Sequence, residues 1–283
     1  MLELLIKFQK MDRRWVFLGM AIAIFIPLLF PLKLPFRVDK EVRDIYRQVE
    51  KLPEGSAVLI SADFDPASVP EIGPFFTAHL HHLFRRNLKP VVLTLWPTAT
   101  PLVLPELEAI AKRYGKTYGK DYAFLGYKEG KELVIKNVGQ NIFQQFPTDH
   151  YGTPLTDIPV MSGRPQAKNF PLFVSVSAGF PGLNEYVLQI QGQYDLNMVG
   201  VCTAVGGPDY IPFYKSNQLR GLSMGMPGSA QYEQLVWKGK PAQGVKLLAT
   251  SAMDVLNLGH LFIILLIVFG NIAFFITRRV EES

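Results

Sequence analysis

Residues 255–277 read VLNLGHLFIILLIVFGNIAFFIT, with no charged residue until Arg278 and Arg279 follow. As a helix the run is about 34 Å long, enough to cross a hydrocarbon core of about 30 Å. Backbone groups in lipid are satisfied only by helix or closed barrel, and a single apolar run of this length means helix. A buried core helix in a soluble domain is the alternative, but charge-free runs this long are rare there. Residues 255–277 are therefore expected to be a transmembrane helix, with 278–283 as a basic C-terminal tail.

The other end of the chain has a matching pattern. Residues 1–14 form a basic tail carrying Lys7, Lys10, Arg13 and Arg14, and residues 15–32 read WVFLGMAIAIFIPLLFPL without a charge. The pattern resembles a signal peptide, yet the apolar run is too long and no small-residue cleavage site follows. An uncleaved anchor, drawn at 15–34, is the expected reading. Pro27 and Pro31 should kink or end it, and Trp15 suits the interfacial aromatic belt. Basic residues on the terminal side are weighed more heavily than those on a long domain, which translocates largely regardless of charge. Both termini are thus expected in the cytoplasm of a bacterial or archaeal cell, with the domain outside.

Between the spans lies one α/β domain, residues 35–254, about 220 residues and large enough for a core. The 283-residue chain is 48% hydrophobic with a formal charge of +5, and its basic residues mostly stand beside acidic ones. Without a basic stripe, nucleic-acid binding is not expected. Cys202 is the only cysteine, so an intramolecular disulfide is impossible. No Cys/His set has zinc spacing, and neither a metal nor another cofactor is expected. Residues 39–52 form an initial amphipathic helix, with Val42, Ile45, Tyr46, Val49 and Leu52 on one face. Strands follow at 57–60, 90–96, 122–127, 171–177 and 198–204, with helices at 72–86, 102–114 and 183–190 between them. Residues 130–137 are either a hairpin partner or the approach to a helix at 139–146, and 147–169 is an irregular loop. The expected fold class is α/β: a Rossmann-like, mostly parallel sheet covered by helices and flanked by an N-terminal and a C-terminal transmembrane helix.

Ligands of open parallel sheets bind beyond the carboxyl ends of the strands. Asp63, Asp65, Thr98, Ser177, Gly179 and Thr203 lie there and are the candidate ligand-binding residues. Asp before Pro and Ser or Gly at a strand end are also ordinary turn chemistry. No catalytic residue is assigned. Ser177 lacks the flanking glycines of a nucleophile elbow, and Ser177–Gly182 is neither a Walker nor a dinucleotide signature. His79 and His82 are three apart but have no carboxylate at a supporting spacing, so an exposed polar face is expected. Asp149 and His150 are read as a loop anchor rather than an acid–base pair. Asn257, His260 and Asn271 in the second span are read as contacts to a partner helix. The tract 221–228, GLSMGMPG, is either a Met-rich contact surface or a loop buried under the sheet.

FDPASVPE, VLTLWP, KDYAFLGYK, FPTDHYGTPL, SAGFPG, VCTAV and LFIILLIVFGNIAFF together resemble a group of prokaryotic membrane proteins with one span at each end of a central α/β domain. The resemblance implies the architecture and no activity, so no functional residue is carried over. The expected function is a non-enzymatic subunit of a membrane assembly, with the lipid bilayer and other membrane subunits or copies of itself as partners. A membrane-anchored small-ligand sensor using the strand-end cleft is the second reading, and a hydrolase at the same cleft the third.

Overall fold

The computed structural model describes residues 11–30, 32, 34, 36–238 and 241–281. Lys7, Lys10 and Pro31, which entered the reading of the termini, lie outside the described residues. The chain divides into two compact units, Phe36–Ala249 and the paired terminal segments Met1–Pro35 with Thr250–Ser283.

The first unit is built on a six-stranded sheet in the order β3-β2-β1-β4-β5-β6, with every pair parallel. The strands are β1 (Ala57–Asp63), β2 (Lys89–Thr94), β3 (Ala123–Tyr127), β4 (Phe173–Ser177), β5 (Met198–Cys202) and β6 (Leu222–Met224). They read as near-continuous apolar runs because parallel strands are buried on both faces. One face carries α2 (Lys40–Glu50), α3 (Val69–Arg85), α4 (Thr100–Arg113) and α8 (Gly225–Trp237). The other carries α5 (Lys131–Gln140), α6 (Leu183–Tyr186), α7 (Gly207–Lys215) and the segment 147–170. The expected helix at 39–52 is α2, with Val42, Ile45 and Val49 buried. No hairpin forms at 130–137, because Gly130 turns the chain directly into α5.

Of the two readings of 221–228, burial under the sheet holds, but as β6 and the first turn of α8 rather than a loop, with Leu222, Ser223, Gly225 and Gly228 buried. Glycine is needed at 225, where φ is +58° and a Cβ would lie 3.0 Å from the Ala204 nitrogen. His79, His81 and His82 are buried, not exposed. They face the seam where α3 packs on α8 and α2, an apolar interface that polarity alone does not reveal.

Among the described residues, one helix is long and apolar enough to cross a membrane: Leu248–Arg278, mean hydropathy 2.4, within α9 (Leu248–Glu281). The N-terminal helix α1 (Arg13–Leu29) has 17 residues. At 1.5 Å per residue that is about 26 Å, short of the roughly 30 Å core, so among the described residues no full span covers 15–34. Pro27, which has no N–H to continue the ladder, stands in its last turn. Within the terminal unit, Gly19 of α1 meets the Phe262 ring of α9, where a Cβ would come within 2.5 Å.

Gly225→Ala should destabilise the α/β unit by about 1–3 kcal/mol, since it combines a left-handed backbone with a steric clash. A fall of roughly 3–8 °C in melting temperature is expected by circular dichroism. An unchanged melting temperature would show that the β6–α8 turn relaxes freely.

Candidate functional site

The strand order changes direction between β1 and β4, and crevices outside the carboxyl ends of parallel strands form at such a switch. Register places Ser61 opposite Ser175 and Asp63 opposite Ser177. These polar groups share one face, beneath α6.

Asp63 is wholly enclosed. Its Oδ1 accepts from the Leu95 N–H at 2.6 Å and from the Thr94 hydroxyl at 3.4 Å. Its Oδ2 is hydrogen-bonded to the Ser61 hydroxyl, which lies 2.6 Å from that of Tyr186. Burial pushes the Asp63 carboxyl up to about 7, and the bonds from Leu95, Ser61 and Thr94 restrain the rise. Ser177 is also buried, its hydroxyl donating to the Gly179 carbonyl at 3.0 Å. Asp65 accepts from the Ser68 amide and hydroxyl at 3.0 and 2.7 Å, which hold its carboxyl below the usual range. It shapes the turn into α3. Thr98 is exposed, and Thr203 is half-buried with its carbonyl accepting from the Gly207 amide at the start of α7.

A cavity of about 280 Å³ opens at this edge, between the loops after β2, β3 and β4. Trp96, Tyr127 and Phe180 give it aromatic walls, with Glu129, Lys131 and Pro181 alongside. None of the six candidate residues lines it. The Trp96 indole lies against Gly179 and donates to the Pro181 carbonyl at 2.9 Å. It therefore ties the β2 loop to the β4 loop across the end of β1. Lys131, in a left-handed backbone conformation with φ +48°, places its ammonium 5.5 Å from the Phe180 ring centroid. The missed residues had a visible signal: Trp96 and Phe180 are large aromatics immediately beyond strands, where a buried strand no longer needs them.

A polar groove of about 450 Å³ lies between α2 and α7. Its groups satisfy one another: Asp44 accepts from Lys40 at 3.1 Å and from the Tyr214 hydroxyl at 2.7 Å. The aromatic cavity is therefore the better candidate.

Asp149 and the α3 histidines are structural. Asp149 accepts from the Tyr118 hydroxyl at 2.7 Å and from the Tyr151 and Thr153 amides at 2.9 and 2.8 Å, anchoring its loop. The Tyr232 hydroxyl lies 3.0 Å from His79 Nδ1 and 2.8 Å from His82 Nδ1, and His82 Nε2 lies 2.8 Å from Glu50. Burial lowers His79 to about 3 and His82 to about 4, so the Glu50 contact is a hydrogen bond from a neutral imidazole at pH 7. No group of three or more metal-ligating side chains is found among the described residues. Asn257 and His260 are exposed on α9, and Asn271, also exposed, donates to the Ile267 carbonyl at 2.9 Å.

No known protein family and no curated protein matches the chain. A solved trehalose-6-phosphate synthase is similar at 8% identity and a TM-score of 0.32, over 91% of this chain and 49% of that one. The chain thus spans about half the length of that enzyme, and a likeness this slight carries no functional conclusion.

Asp63 and the histidines bend the stability profile in opposite directions. The folded value of Asp63, about 7, lies above the ordinary value near 3.9, so its contribution is full below about pH 4 and is lost as pH rises to 7. His79, His81 and His82, at about 3, 4 and 4, lie below about 6.5, so theirs is lost as pH falls from there to about 4. Asp63→Asn should gain on the wild type with rising pH, by up to about 4 kcal/mol at pH 8, from denaturant unfolding at several pH values. Parallel profiles for the two proteins would rule this out.

Proposed function

We propose that the chain is a membrane-anchored, non-catalytic binding protein whose α/β domain takes a small ligand in the aromatic strand-end cavity. The observation that carries this reading is the placement of that cavity, at the edge where parallel sheets bind ligands and between the loops of three strands. Its volume lies just below the usual range of roughly 300–1,000 Å³, and mostly apolar walls with a few polar groups are typical of such sites. Support for a hydrolase is weak, because Asp63 and Ser177 are sealed and already hydrogen-bonded.

The anchor is read as two helices. α9 supplies one and α1 the other. The contact of Gly19 with Phe262 supports such a pair. Both termini are then cytoplasmic and the domain is extracytoplasmic. A second reading, a subunit of a membrane assembly, is favoured by the exposed polar groups of α9. The tract 221–228 no longer supports it.

Protein purified in nanodiscs from native membranes should retain a small molecule near 1:1, detected by mass spectrometry after denaturation. Phe180→Ala should lose it by about tenfold or more, the equivalent of about 1.4 kcal/mol, with an unchanged melting curve in ligand-free protein. Equal retention by both proteins, or none by either, would overturn the cavity reading. Stoichiometric protein partners in place of a small molecule would favour the assembly reading.

A further inference from the structure

We infer that α9 is a self-pairing seam along which two copies of this chain associate in parallel and in register within the membrane. The inference is independent of the ligand cavity and rests only on α9 spanning the bilayer.

Six residues repeat at the spacing that defines such a seam. Asn257, Ile264 and Asn271 are seven apart, and so are His260, Ile267 and Phe274, offset by three. This is the a/d pattern of a left-handed two-helix coil, with a β-branched residue or Asn at a. At about 100° per residue the six fall within one stripe about 100° wide. Every member is exposed, Ile264 at 56%, Ile267 at 57% and Phe274 at 51%. The stripe is roughly opposite the face that α1 contacts through Phe262, where Ala273 is also buried. It is therefore left open by the helix pairing already present in the terminal unit.

The chemistry selects a second copy as the occupant. Copies inserted in the same orientation meet in parallel, so each seam residue faces its own counterpart. An Asn amide both donates and accepts, and so does a neutral imidazole, so each pairs with itself across a symmetric interface. The seam carries no Lys, Arg, Asp or Glu, so symmetry brings no like charges together. Polar side chains facing lipid are costly, and interhelical hydrogen bonds remove part of that cost. An Asn at position a also fixes register, because slippage leaves it opposite an apolar residue.

Cysteine cross-linking of the full chain in its membrane tests the seam. The native Cys202 is buried, and Cys202→Ser clears any background. Ile264→Cys and Ile267→Cys should form disulfide-linked dimers on copper–phenanthroline oxidation. Phe269→Cys, exposed on a different face, should cross-link several-fold less. Asn271→Leu in the Ile264→Cys background should lower the dimer yield by about threefold to tenfold. Carbonate extraction of every variant separates the two readings: release from the membrane would overturn the anchor itself. Firmly inserted protein that cross-links equally at all three positions, or at none, would overturn the seam. Cross-linking to a different protein alone would overturn the choice of a second copy.

Discussion

The parallel pairing of β1 with β4 constrains everything else in the α/β unit. It opposes Ser61 to Ser175 and Asp63 to Ser177, putting polar groups on strands covered on both faces. A carboxyl enclosed there must be hydrogen-bonded, neutral or both, because an isolated buried charge costs several kcal/mol or more. Asp63 takes the Leu95 amide, the Ser61 hydroxyl and the weaker Thr94 contact, and its affinity for a proton rises. The cluster therefore fixes how β2 leaves the sheet, since the Leu95 amide that satisfies Asp63 is the first step of the loop leading to Trp96. Trp96 then closes the edge by reaching the Pro181 carbonyl. The aromatic cavity begins on the outer side of that closure.

This explains which parts of the fold were legible in the sequence. Five strands were visible as apolar runs, since burial on both faces leaves a run and not an alternation. β6 and α8 were not, because GLSMGMPG has the composition of a loop. Gly225 and Gly228 are there for close approach to Ala204 and Ser223, which only coordinates reveal. The histidines of α3 read as a polar face for a similar reason. Their neutrality comes from burial between helices, which at His82 outweighs the opposite pull of Glu50, thirty-two residues away.

The candidate site was legible in position but not in composition. Strand-end loops were expected to matter, and polar residues were chosen because polar groups usually carry chemistry. In the folded chain Asp63 and Ser177 point inward and Asp65 holds a turn, while Trp96, Tyr127 and Phe180 line the opening. The difference is one of direction. Asp63 and Ser177 belong to the last residues of their strands and follow the pleat into the layer beneath. Trp96 and Phe180 come after the strands end, so the pleat no longer directs them.

Lys131 bears on whether the cavity is more than a surface fold between loops. A non-glycine residue in the left-handed region costs roughly 1 kcal/mol or more and persists only where surrounding structure imposes it. Gly130, with φ +133°, stands directly before it, so two consecutive residues at the start of α5 have positive φ. The result of the strain is an ammonium held beside the Phe180 ring, at a contact worth about 0.5–1 kcal/mol when exposed. The contact barely repays the backbone cost. A conformation maintained at little or no net gain for folding is the kind of feature that collects at binding sites. Glu129 on the same wall supplies a charge of opposite sign, so both signs line one small aromatic opening. Strain at Lys131 and the enclosed carboxyl of Asp63 thus fall at one edge of the sheet, the edge to which the proposed ligand site is assigned.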